Sequence, residues 1–354
     1  MILSPSQYQM IWGHWLPDKV QKPQDFKGTC ERNWFLAKVL KVPQPERAAT
    51  NLGTILHAVV ERYLKADDNG RDILTGEPVD LYPDDWDEGL KYQSDKDQVK
   101  ALITHAIEEG HLKRRAGRKV EEAMSDGIKH WSGFGEQIWK IDPDIFLTGF
   151  IDHRYGNVIE DWKTSSDPTK WGLNNDPKST KYLGYDIKML MYAAWLNFFD
   201  PQEEYVLRHV YFDKKSTPEE PSVVPVEVTV SAEHVEKFTE WMMEAALYMY
   251  ELKENNSQAT LTKMHKGKTA CDNYGGCVYQ KICNRQLTIE QHTKLLTQEK
   301  EDPNMSALDK LRKGKKNVAP KKSESEESTK GADLRQEENT HMVGTPEQQK
   351  PAPK

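Results

Sequence analysis

The chain has 354 residues, enough for one large or two ordinary domains with a buried core. Charged residues make up 30% and the mean hydropathy is -0.81, so part of the chain is too polar to pack. No apolar run reaches the roughly 18–20 residues of a membrane span, and MILSPSQYQM lacks the basic-then-apolar pattern of a signal peptide. Four cysteines are too few for a disulfide scaffold, so a soluble, non-secreted protein with no membrane partner is expected. The net charge of -7 argues at first sight against a nucleic-acid partner.

In chain order, 54–64 (TILHAVVERYL) has helical apolar spacing, with Leu52 and Gly53 as the turn before it. Residues 84–98 are acidic and read as loop or helix edge, while 96–109 and 119–132 have helical spacing. Three strands are predicted at 136–141, 145–152 and 157–164, followed by a Pro/Asn/Lys-rich loop over 167–181. A strong apolar helix follows from Tyr185 to Phe199, then strands at 205–212 and 223–230 and a long helix over 232–252. This mixture predicts an α/β domain over residues 1–300, a mixed central sheet flanked by helices. Residues 301–354 have no aromatics and many Lys, Glu, Ser and Pro, the composition of a disordered polar tail. The tail is nearly neutral, so the body keeps 38 Lys and Arg against 46 Asp and Glu. Within the tail, Met305 to Leu311 has helical apolar spacing that suits docking on a partner, although a solvated tail is the plainer reading.

The most informative segment is GFIDHRYGNVIEDWKT. Gly156 and Asn157 both tolerate positive φ, so a two-residue turn there places Asp152 opposite Asp161. Side chains alternate along a strand, which puts Lys163 on the face of Asp161. Two carboxylates opposite one another cost stability unless a cation lies between them, and such oxygen ligands suit Mg²⁺ or Mn²⁺. An Asp-x-Lys triplet alone also arises by chance in a chain this rich in Asp and Lys. His57 and Glu61, four apart on one helical face, add an imidazole ligand and a carboxylate that could orient it or hold water.

Cys271, Cys277 and Cys283 are evenly spaced, and Cys30 lies about 240 residues before the first of them. Structural zinc usually uses cysteines paired two to four residues apart, whereas an iron–sulfur cluster accepts other spacings and needs four thiolates. An iron–sulfur cluster, Zn²⁺ and reduced free thiols all remain open on these residues alone.

The ordered set SPSQ, Cys30 with ERNWFL, GTILHAVVERYL, GFID, EDWK, KMLMY and CVYQKIC resembles the RecB-like branch of the PD-(D/E)XK nucleases. Within that branch the set is similar to the iron–sulfur subset of CRISPR-associated RecB-like, AddB-type and phage exonucleases. The resemblance covers residues 1 to about 290. It implies a restriction-endonuclease-like fold whose N- and C-terminal parts are joined by a [4Fe–4S] cluster on Cys30, Cys271, Cys277 and Cys283. It implies Mg²⁺ or Mn²⁺ ligation by His57, Asp152, Asp161 and the main-chain carbonyl of Trp162. Lys163 would position the attacking water, and the family's Gln-x-x-x-Tyr helix motif falls on Lys188 and Tyr192. Two departures stand out: Lys188 replaces the usual Gln, and the spacing C-x5-C-x5-C replaces the more frequent C-x2-C-x5-C.

The implied activity is metal-dependent hydrolysis of DNA, single-stranded or with free ends, in recombination, repair or end processing. The implied setting is the cytoplasm of a bacterial or phage-infected cell, with a recombination or single-strand-binding protein as a candidate partner of the tail. Lys113, Arg114, Arg115, Arg118 and Lys119 form one basic patch. Lys170, Lys178 and Lys181 form another, with Trp171 or Tyr182 as stacking surfaces. Two other classes compete: a non-catalytic, cluster-stabilised DNA-binding accessory protein, and an iron–sulfur electron carrier.

Overall fold

A two-residue turn organises the structure, a computed structural model that describes residues 1–17, 29–44, 51–88, 90, 92–127, 138–267, 271 and 277–300. Gly156 takes a φ of 55° between β5 (Phe150–Tyr155) and β6 (Val158–Ser165). Asn157 does not share the positive φ; its side-chain amide donates 2.9 Å to the Glu204 carbonyl instead. The hairpin register runs Tyr155↔Val158, Arg154↔Ile159, His153↔Glu160, and its continuation sets Asp152 opposite Asp161.

Around this hairpin lies a five-stranded mixed sheet in the order β2-β5-β6-β7-β8. Here β2 is Lys119–Ala123, β7 Glu204–Asp213 and β8 Val223–Ser231. Only β6 and β7 pair in parallel, from Val158↔Val206 to Ser165↔Asp213. A parallel pair requires a crossover, supplied by α5 (Pro168–Trp171), a 3₁₀ turn at Leu183–Tyr185 and α6 (Ile187–Phe199). Asp186 caps α6 by accepting the Met189 N–H at 2.9 Å, which places its start two residues after the expected one. Because α6 is apolar on nearly every side, it is buried almost throughout.

The sheet is covered on both faces. On one, α3 (Asn51–Lys65) and α4 (Gln93–Glu108) pack Leu56, Val59, Leu102 and Ile103 against Trp162, Val210 and Phe212. On the other, α6, α1 (Pro5–Trp12) and α7 (Ala232–Glu254) enclose Ile159, Tyr205 and Leu207. Gly53 lies inside α3 rather than in a turn before it. A Cβ there would meet Thr164 Oγ1 at 3.0 Å, so glycine lets α3 press close to β6.

Two predicted elements differ. The strand expected over 145–152 is divided: β4 (Ile145–Leu147) joins β1 (Ile2–Leu3) and β3 (Trp139–Asp142) in a second sheet, and β5 begins at Phe150. The break falls at Gly149, where a side chain would meet Met124 at 3.0 Å and Tyr192 at 3.1 Å. The helix expected over 119–132 is strand β2 as far as Ala123, its Glu and Ala residues overruled by pairing with β5. The rest of that element from residue 128, the first two residues of the strand over 136–141, and the whole tail 301–354 lie outside the described residues. No helix among the described residues is long and apolar enough to cross a membrane.

The chain's early and late segments meet at Thr29–Arg32. The Cys30 N–H donates to the Met10 carbonyl at 2.9 Å. Glu31 accepts the His265 N–H at 2.9 Å and the Tyr248 hydroxyl. Arg32 donates to the carbonyls of Met264 (3.0 Å) and Thr262 (3.1 Å). Gln7 of the SPSQ segment accepts the Trp34 indole N–H at 3.1 Å.

Candidate active site

Alternation along β6 sends Trp162 into the α3–α4 core and leaves Asp161 and Lys163 on the face toward α6. Asp161 is fully buried. Lys163 reaches its Oδ2, and Lys188, from the first turn of α6, reaches its Oδ1. The Lys188 ammonium also lies 3.9 Å from Asp152 Oδ1 and 5.5 Å from the Tyr192 ring centre. Burial alone would raise the Asp161 carboxyl, but Lys163, Lys188 and His209 together hold it well below the ordinary carboxylate range. Burial would likewise lower Lys188, yet Asp161 reverses this and keeps it charged.

Asp152 lies in a different environment. Its Oδ2 accepts the Trp162 N–H at 2.9 Å and sits 3.7 Å from His57 Nε2. His57 Nε2 is 2.8 Å from the Trp162 carbonyl oxygen, and its ring meets the indole edge-on at 5.3 Å. Burial, then repulsion from Asp161, raises the Asp152 carboxyl. The third member of this group is Glu121 of β2: one ligand atom each from His57, Glu121 and Asp152 falls within 4.8 Å of the others. Burial, then Asp152, raises Glu121 as well. Two carboxylates made more basic by desolvation, beside an imidazole, are a donor set that favours a hard divalent cation. Next to this group, Gly53, Thr54, His57, Trp162, Lys163 and Thr164 line a cavity of about 470 Å³.

Thus the structure brings together His57, Asp152, Asp161, Trp162, Lys163 and Lys188. Tyr192 stands at the edge, its hydroxyl donating 2.6 Å to the Phe150 carbonyl. Glu61 does not join: it pairs with Lys65 one turn along α3, and Glu121 comes to His57 from the neighbouring strand. Nothing in the sequence marks Glu121 as a site residue, because KVEEAM has helical spacing. Only pairing with β5, which sets it opposite Asp152, shows its place.

Part of each basic patch is committed to the fold. Arg114 donates to the carbonyls of Tyr63 (3.0 Å) and Asp67 (2.9 Å). Arg118 donates to those of Leu64 (2.5 Å) and Ala66 (2.7 Å). These are carbonyls at and beyond the end of α3 that lack helical donors. Lys119 pairs with Glu122 at 2.6 Å, and Lys181 donates to the Lys170 carbonyl. Tyr182 packs edge-on against Tyr185, its ring centre 5.0 Å away.

Cys30 and Cys271 are buried, Cys277 and Cys283 half-buried, and none forms a disulfide. The Cys277 N–H donates 3.0 Å to the Cys271 carbonyl. Burial, with added repulsion from Cys30, Cys277 and Cys271, pushes the Cys283 thiol up to about 11.

The chain belongs to the PD-(D/E)XK nuclease superfamily, whose family model matches residues 27–284. Comparison with solved structures finds the crystal structure of a "Putative exonuclease" from Eubacterium rectale. Its TM-score is 0.46 at 12% identity, with 81% of this chain and 88% of that chain covered. Comparison with curated proteins gives no match.

Proposed function

We propose that the protein is a divalent-metal-dependent deoxyribonuclease that cleaves DNA from free or single-stranded ends. The carrying observation is the convergence of Asp152, Asp161 and Lys163 on one sheet face with His57 and Glu121 beside them, inside the span matched by the nuclease family. In this reading His57, Glu121 and Asp152 would hold Mg²⁺ or Mn²⁺, with the Trp162 carbonyl and Asp161 as further ligands. When bound, such an ion would supply an acidified water and offset charge on the phosphate oxygens. Lys163, more than a third exposed beside the cavity, orients the nucleophile and stabilises charge on the phosphate. Lys188, at the Gln position of the family motif, would contact a neighbouring phosphate oxygen, and Tyr192 props the Phe150 end of β5 through its hydroxyl.

A [4Fe–4S] cluster on Cys30, Cys271, Cys277 and Cys283, with Zn²⁺ as the alternative, would staple the two ends of the body where Glu31 and Arg32 already join them. Recombination, repair or end processing is the matching role.

The test is an anaerobic preparation with a visible spectrum and iron count, then degradation of end-labelled single-stranded and duplex DNA with Mg²⁺ or Mn²⁺. Cleavage by the wild type and none by Asp161→Asn is the expected result. Undiminished cleavage by the variant would remove Asp161 from the mechanism, and metal-independent cleavage would remove the metal.

A further inference from the structure

Asp161 is held from a third direction. His209 is its register neighbour on β7, and His209 Nε2 lies 3.5 Å from Asp161 Oδ2. On the other edge of the ring, Nδ1 is 2.9 Å from the Tyr211 hydroxyl, and that hydroxyl accepts the Leu173 N–H at 2.9 Å. His209 is 2% exposed and Tyr211 6%. The chain Leu173, Tyr211, His209, Asp161 therefore runs from the loop after α5 to the active-site carboxylate with almost no access to water.

The ends of this chain favour one polarity. A backbone N–H only donates, and an ionised carboxylate only accepts. With its oxygen accepting from Leu173, the Tyr211 hydroxyl has its proton available for His209 Nδ1. That leaves the single proton of a neutral imidazole on Nε2, facing Asp161. At 3.5 Å the contact is longer than an ordinary N–H···O bond, so it acts as an oriented dipole beside the carboxylate. In a dry site such a dipole stays strong, because no water screens it.

We propose that His209 is a positioning residue for Asp161 and that Tyr211 sets its tautomer, tying the loop around Leu173 to the geometry of the active site. The functional part rests on Asp161 acting in nuclease chemistry as proposed above; the tautomer does not. A side chain that orients a metal-site carboxylate typically changes metal affinity or activity by about 10–100-fold when removed.

Nitrogen NMR of the ¹⁵N-histidine-labelled, metal-free protein reads the tautomer directly. The expected result is a protonated Nε2 and an unprotonated Nδ1 for His209, with the preference weakened in Tyr211→Phe. In parallel, single-turnover cleavage of end-labelled DNA and Mn²⁺ titration compare three variants. His209→Ala is expected to lose about 10–100-fold in rate with KM unchanged, Tyr211→Phe to lose less, and His209→Gln, whose amide keeps an N–H donor, to recover part of the loss. A protonated Nδ1 in the wild type overturns the proposal, as does a folded His209→Ala with wild-type rate and Mn²⁺ affinity. If His209→Ala fails to fold, Tyr211→Phe carries the test, since the imidazole stays in place: an unchanged tautomer and rate there are equally adverse. Should the wild type cleave no DNA, the nuclease reading fails on its own while the tautomer still decides whether this relay exists.

Discussion

Glu121 and Asp152 lie opposite one another on adjacent antiparallel strands, and His57 of α3 meets both. Glu121 does so at a φ of 53°, in the left-handed region that non-glycine residues avoid. That conformation costs roughly 1 kcal/mol, so the backbone is held there by its surroundings while the carboxylate faces His57 and Asp152. Glu121→Gly is therefore expected to gain up to about 1 kcal/mol of stability while losing at least about tenfold in Mn²⁺ affinity. Thermal unfolding with EDTA and Mn²⁺ titration read the two effects separately. A Glu121→Gly protein that binds Mn²⁺ like the wild type excludes Glu121 as a ligand.

The same pair predicts a pH dependence. Burial raises both carboxyls above their unfolded values of about 4, with repulsion from Asp152 added at Glu121 and from Asp161 added at Asp152. A raised carboxyl means the folded state holds its proton longer, so without metal these groups cost stability as pH rises through their folded pKa values. Glu121→Gln removes one of the charges. Its melting temperature in EDTA should then exceed that of the wild type by a margin that widens from pH 4 upward. Added Mn²⁺ should favour the wild type instead, increasingly so at higher pH, where both carboxylates are ionised. A margin independent of pH would contradict the coupling.

The two lysines on Asp161 should separate stability from activity. Lys163 is 38% exposed, so its pair with Asp161 contributes less than about 1 kcal/mol to folding. Lys163→Ala should keep its melting temperature within a few degrees yet lose about 10²–10³-fold in kcat. Asp161→Ala instead strands the Lys188 ammonium, with only Asp152 at 3.9 Å to face it. It should cost stability near the lower end of the roughly 3–5 kcal/mol typical of a broken buried pair. Urea unfolding and steady-state kinetics on both variants check the contrast.

Arg118 should behave as a structural residue, although it lies in a strongly basic stretch of the chain. Its bonds to the carbonyls of Leu64 and Ala66 are charge-assisted, and Arg118→Ala should cost roughly 1.5–3 kcal/mol. DNA affinity measured across a salt series should keep its slope, because no phosphate contact is lost. A slope reduced by about one unit would return Arg118 to the DNA interface.

The sequence by itself determined the hairpin, the face shared by Asp161 and Lys163, the position of His57 on its helix and the apolar character of α6. Each follows from local periodicity: a glycine turn, a repeat of two along a strand, a repeat near four along a helix. It determined the family too, through short motifs kept in order. Tertiary structure alone decided which other groups reach that face. Glu121 arrives because KVEEA pairs as a strand against its helical propensity. His209 becomes a neighbour of Asp161 only through the parallel β6–β7 register, and Glu61 is turned away to Lys65 by one helical step. Arg114 and Arg118, plausible DNA contacts by charge, are drawn instead to the open carbonyls ending α3. None of these is encoded within a single window of sequence, because each depends on which backbone or carboxylate a distant segment presents. The net charge of -7 follows the same logic: it describes the chain as a whole, whereas cation binding depends on where folding concentrates a few of its carboxylates.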